Sequence, residues 1–197
     1  LNLRGKTIGF GLTGSHCTYE EVLPEMKRLV DEGARVIPII TYTVKSTDTR
    51  FGPAEDWQAK IRDITGEEII DSIPAAEPFG PQKLLDVMVI APCTGNSTSK
   101  LANALTDSPV LMAAKATMRN SRPVVVAIST NDGLGLNAAN IAKLIASKNI
   151  FLVPFGQDNP EVKPNSLVAK MDLIKETCEA ALEGRQLQPL LIERYKY

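Results

Sequence analysis

Asp86-Val-Met-Val-Ile-Ala-Pro-Cys-Thr-Gly-Asn-Ser-Thr98 is the stretch whose reading decides the fold. Its apolar run ends at Pro92, gives way to small and hydroxylated residues, and leads into a helical stretch from Ser97 to Leu105. A run apolar at successive positions, not at alternate ones, reads as a strand buried on both faces. In an open parallel sheet, ligands bind outside the carboxyl ends of the strands. The turn of Cys93, Thr94, Gly95, Asn96 and Ser97 at that position offers hydroxyls, an amide and close backbone approach. A planar, polyoxygenated ligand requires that chemistry.

Outward from this segment the same grammar repeats. Short runs rich in Val and Ile at 6–12, 35–41, 123–129 and 150–154 each meet a turn signal. Amphipathic helices lie between them. Val22, Leu23, Met26, Leu29 and Val30 share one face of the first, which ends at Gly33, a C′ glycine. Pro24 should kink that helix or mark its true start. Leu167, Met171, Ile174, Cys178, Ala181 and Leu182 form the apolar face of the last. Such alternation predicts one three-layer α/β/α domain over residues 1–197, Rossmann-like or flavodoxin-like, with a mostly parallel sheet. Residues 72–82 and 155–166 read as loops.

Composition narrows the functional classes. The chain has 197 residues and a net charge of −1. Acids and bases are interspersed, so neither nucleic acid nor an anionic membrane is an expected partner. No apolar run approaches a membrane span. Three cysteines, without Cys-x-x-Cys spacing, argue against a disulfide framework and against a metal site. The expectation is a cytoplasmic protein.

Gly9-Phe-Gly-Leu-Thr-Gly14 satisfies the dinucleotide pattern G-x-G-x-x-G. Yet the second strand ends in Ile40-Thr41-Tyr42-Thr43, with no acid to hold a ribose, and the first would be very short. Running the first strand to Leu12 makes Thr13-Gly14-Ser15-His16 the binding turn instead. Thr18 and Glu21 would then form a capping box. Ser15, Thr41 and Thr43 are candidates to hold one phosphate at the sheet edge, the alternative being a turn that binds nothing.

With these pieces placed, the chain resembles the homo-oligomeric flavin-containing cysteine decarboxylase superfamily over nearly its whole length. Gly14-Ser15 stands where that family has its phosphate turn. Pro92-Cys-Thr-Gly-Asn-Ser-Thr98 matches its Pro-Ala-Ser-Ala-Asn-Thr motif. Ser129-Thr-Asn131 takes the place of Pro-x-Met-Asn, and Leu101–Asp107 that of the following helix end. The resemblance implies flavin mononucleotide (FMN) as cofactor, with Gly14, Ser15, Thr41, Thr43, Pro92, Thr94, Asn96 and Ser97 around it. It also implies a homo-oligomer, a trimer or a multiple of one. Gly11-Leu-Thr-Gly-Ser-His-Cys-Thr18, Ser129–Asn137 and Pro154–Pro160 are similar to a branch that makes a pyridine dicarboxylate. That likeness implies a small dicarboxylate substrate and an NAD(P)-binding partner protein.

The chain departs from the decarboxylases in two ways. They carry a histidine after the second strand, whereas the only histidine here is His16. Their recognition loop carries a cysteine, and Gln157–Ser166 has none. Decarboxylation of a cysteine-type substrate is thereby disfavoured but stays an alternative, as does a cofactor-free, non-catalytic partner of a dehydrogenase. Asn131 is the candidate for holding a substrate carboxylate or enolate, Lys163 for a second carboxylate, and His16 for acid–base work, phosphate donation or no role. Cys17 and Cys93 read as packing or spacer residues, Cys178 as core, and Trp57 as packing at a contact between protomers.

Overall fold

A computed structural model of the chain describes residues 2–195. Five parallel strands form its centre: β1 Thr7–Leu12, β2 Arg35–Ile40, β3 Val87–Cys93, β4 Val124–Thr130 and β5 Ile150–Leu152. They lie in the order β2-β1-β3-β4-β5. This order reverses direction between β1 and β3, which places a crevice at the carboxyl ends of those two strands. Two short strands, β6 Phe155–Gly156 and β7 Leu167–Ala169, add an antiparallel extension. β7 pairs with Ser129 and Thr130, at the end of β4. β4 therefore forks, with β5 beside its first half and β7 beside its last two residues.

Helices cover both faces: α1 Tyr19–Asp31, α2 Tyr42–Ser46, α3 Ala54–Thr65, α4 Ile73–Ala76, α5 Gly95–Ala102, α6 Pro109–Arg119, α7 Ala138–Ile145 and α8 Ile174–Leu182. All seven residues of β3 are buried, as its continuous apolar run requires of a strand sandwiched between layers. Gly9 and Gly11 lie inside β1 and face this packing. A Cβ at Gly9 would stand 2.7 Å from Leu85 and 2.8 Å from the Met88 sulfur, and one at Gly11 2.8 Å from both Met88 and Val110. These glycines make room for core side chains, so β1 runs on to Leu12 and the dinucleotide pattern is a coincidence of packing.

Gly33 is the C′ residue, at φ +91°, and closes α1 as the sequence predicts. Pro24 sits inside α1 and does not start it. The capping box does not form. A 3₁₀ turn over His16–Thr18 precedes α1 and leaves Thr18 at φ −101°, ψ −2°. The Thr18 hydroxyl donates back to the Ser15 carbonyl at 2.7 Å, and Glu21 turns to Arg194.

Leu167 and Met171 do not belong to the last helix. Leu167 opens β7, where pairing with β4 overrides helical spacing, and Met171 lies in a 3₁₀ turn before α8. The 72–82 segment contains α4 and a further 3₁₀ turn. Trp57 packs inside the protomer. It is 6% exposed and packs edge-on against Tyr19, ring centroids 5.1 Å apart. The open edge of β5 is closed by Gln186, whose amide accepts from Leu152 N at 2.9 Å and donates to Leu152 O at 2.6 Å. A side chain thus stands in for the missing strand. No helix among the described residues is long and apolar enough to cross a membrane.

Candidate functional site

The turn after β1 is fixed before any ligand is considered. Thr13, buried, donates its hydroxyl to the Pro92 carbonyl at 2.6 Å and accepts the Thr94 amide at 3.0 Å. Its own carbonyl accepts the buried Tyr19 hydroxyl at 2.8 Å. One threonine thereby clips the β1 and β3 exits together at the crevice.

On one side of this turn is a cavity of about 270 Å³ whose wall includes Gly14, Thr41, Thr43, Thr94, Asn96 and Ser97. Six of the eight residues expected around a cofactor converge there. Thr94 caps α5, accepting from Ser97 N at 3.2 Å, which fixes the hydroxyls at this wall. Gly14 allows close backbone approach, since a Cβ would come within 2.9 Å of the Thr43 methyl. The Thr41 hydroxyl is buried without a hydrogen-bond partner, a group that an incoming acceptor would satisfy. Lys100 and Asp107, paired at 2.8 Å, add an ion pair to the same wall. Hydroxyls, an amide and one lysine suit a phosphorylated polyol, so the residues present fit FMN. Pro92 does not line the cavity; it acts through its carbonyl, held by Thr13.

On the other side is a second cavity, of about 310 Å³, lined by Ser15, Ser129, Asn131, Asp158, Lys163 and Arg194, among others. Ser15 is turned to this side, its Oγ 3.1 Å from Ser129 Oγ, and does not share the first cavity with Thr41 and Thr43. Asn131 and Lys163, from separate segments, are brought to one wall. His16 lines neither cavity. Its Nδ1 lies 3.1 Å from the Gly14 carbonyl and its ring stacks at a tilt on Tyr19. Its Nε2 is buried without a partner.

Behind Asn131, a cluster stiffens the β4 exit. Asp132 accepts from the Thr130 hydroxyl, and Asn137 Nδ2 reaches both its oxygens at 2.9 Å. The Thr130 bond, then that from Asn137, holds the Asp132 carboxyl below its ordinary range. Asn137 Nδ2 also bonds the Gly95 carbonyl at 3.1 Å. A Cβ at Gly95 would run into Thr130, Asn137 and Asp132. Gly95 is thus the contact between the β3 and β4 exits.

Burial pushes the Cys93 thiol up to about 12, so it is an inert spacer under the first cavity. Cys178 is buried and likewise raised, while Cys17 is exposed. Sequence reasoning misses Lys100, Asp107 and Arg194 as site residues. Asp107 falls within a motif match without a role, and Arg194 belongs to an aperiodic tail that carries no signal. Among the described residues, no group of three or more His, Cys, Asp or Glu is placed to hold a metal ion.

A crevice at the strand-order reversal, walled by hydroxyls and an amide, is where a doubly wound α/β protein takes its ligands. The chain belongs to the Flavoprotein family, whose model matches residues 1–184. It is 65% identical over 195 residues to the dipicolinate synthase B subunit of Bacillus subtilis (strain 168), covering 99% of this chain and 98% of that one. The crystal structure of the dipicolinate synthase B subunit from Bacillus halodurans is 66% identical and superposes with a TM-score of 0.92, covering 99% of this chain and all of that one. At 16% identity, Burkholderia xenovorans DmrB, a cubic protein cage in complex with FMN, shares the fold with a TM-score of 0.67, over 90% of this chain and 96% of that one.

Proposed function

We propose that the chain is the flavin-binding subunit of a dipicolinate synthase. It would help form pyridine-2,6-dicarboxylate from a dihydrodipicolinate-type precursor during sporulation, in the cytoplasm. The 65% identity to the dipicolinate synthase B subunit along almost the whole of both chains carries the reading. The NAD(P)-binding partner is then the A subunit of the synthase, and the protomers assemble as a homo-oligomer.

FMN, when bound, supplies a two-electron acceptor for aromatisation. Thr41, Thr43, Ser97 and Asn96 hold its polar groups in the first cavity, with Lys100 close to the negative charge. In the second cavity, the Asn131 amide donates to a substrate carboxylate, and Lys163 offers a cation to another. The apolar core beneath both walls keeps water from the sheet side and strengthens these bonds. His16, the single histidine of the chain, lines neither cavity.

The test is an absorption spectrum taken after incubation with FMN and desalting. Retained oxidised-flavin bands, bleached when the precursor is added, are expected. A protein that keeps no flavin, alone or with its NAD(P)-binding partner, would overturn the cofactor role. Full synthase activity in a heteromer carrying both Asn96→Ala and Asn131→Ala would favour a non-catalytic partner instead.

A further inference from the structure

We propose that Arg194, carried on the strap that follows α8, anchors one carboxylate of a dianionic substrate in the second cavity, while Lys163 meets the other. The inference rests on the reading that this cavity takes the dicarboxylate, and it adds the residue that sets the preference for two carboxylates over one.

The strap is seated by its backbone. Phe155 N donates to Leu190 O and Ile192 N to Phe155 O, each at 3.0 Å. Gly156 lets it lie flat, because a Cβ there would collide with the Ile192 carbonyl and stand 3.3 Å from Arg194 Cγ. The chain then delivers the Arg194 side chain, 22% exposed, to the wall that holds Ser15, Asn131 and Lys163.

The charges on that wall are loosely paired. Arg194 meets Glu21 at 3.6 Å and Lys163 meets Asp158 at 3.7 Å, both beyond hydrogen-bond range. Arg194 Nε and Asp158 Oδ1 are buried without partners. A guanidinium has five donors in a planar fork that matches a carboxylate, and the 3.6 Å pair uses them poorly. A ligand carboxylate would satisfy them better in a partly dry cleft. Lys163 lies on the loop between β6 and β7, Arg194 on the strap, and Asn131 on the β4 exit. Two cations and a neutral donor from three segments suit a small, rigid molecule with carboxylates on two sides. Glu21 and Asp158 act as counter-ions that such a ligand displaces.

The test is calorimetric titration of the FMN-loaded protein, alone and with its NAD(P)-binding partner, using pyridine-2,6-dicarboxylate and then pyridine-2-carboxylate. Arg194→Met is expected to weaken the dicarboxylate by about tenfold or more and to narrow its advantage over the monocarboxylate, with flavin retention unchanged. Glu21→Gln, at an exposed position, is expected to tighten the dicarboxylate by about two- to fivefold. Because Glu21 lines the cavity itself, the tightening speaks for Arg194 only if it is lost when Arg194→Met is added. Arg194→Lys, which keeps the charge without the planar fork, is expected to lose part of the dicarboxylate affinity and decides the matter if Arg194→Met does not fold. Wild-type affinity or an unchanged preference in Arg194→Met, or no tightening in Glu21→Gln, overturns the role of Arg194 and leaves the function standing. Failure of the wild type to bind the dicarboxylate in either state overturns the substrate reading and this inference together.

Discussion

Thr13 shows how one hydroxyl organises the site that it borders. It donates to Pro92 O and accepts from Thr94 N, so replacing it by valine keeps the shape and strands both partners. Leaving buried polar groups unpaired costs about 1–3 kcal/mol each. Thr13→Val should therefore lower the unfolding free energy by about 2–6 kcal/mol, read as a lower urea midpoint at unchanged slope, and should weaken flavin retention because Thr94 loses its anchor. A variant as stable as the parent would mean that water replaces the hydroxyl. Sequence pattern locates Thr13 in the binding turn, but this bond spans 79 positions and no local signal announces it. Ser15 illustrates the same limit: its residue type is legible, whereas the side of the turn it faces depends on Ser129, far along the chain.

At the scale of elements, the parallel strands β1 to β4 are readable because their central residues are buried between the helix layers and apolar in succession. β6 and β7 are not, at two and three residues, because hydrogen bonds to the end of β4 define them more than any apolar period. The strap along β6 is likewise invisible to periodicity. Its seating depends on Gly156, so Gly156→Ala should lift it. Hydrogen exchange at the Ile192 amide is expected to accelerate, with the β1 and β3 amides unaffected. Unchanged protection at Ile192 would show that the strap is held by other contacts. The capping box fails for a related reason, since a 3₁₀ turn already places Thr18 in helical geometry, with its hydroxyl on the Ser15 carbonyl.

For the whole molecule, thiol chemistry reports on integrity. Cys17 is exposed, whereas Cys93 and Cys178 are buried and hard to ionise. Thiolate is the reactive form, so at mildly alkaline pH the native protein should take up one equivalent of alkylating reagent, at Cys17. The other two should react only as fast as the domain opens. Early modification of Cys93 under native conditions would mean that the β3 exit breathes independently of the core.

Thr13–Gly14–Ser15 has a consequence at every scale. Gly14 faces one cavity and Ser15 the other, so the partition between them is a single backbone thick. A molecule pressing on one face of such a partition changes the energy of whatever lies against the other. Any coupling between the two occupants across this partition is reciprocal: whatever factor the nucleotide applies to the acid, the acid must return to the nucleotide.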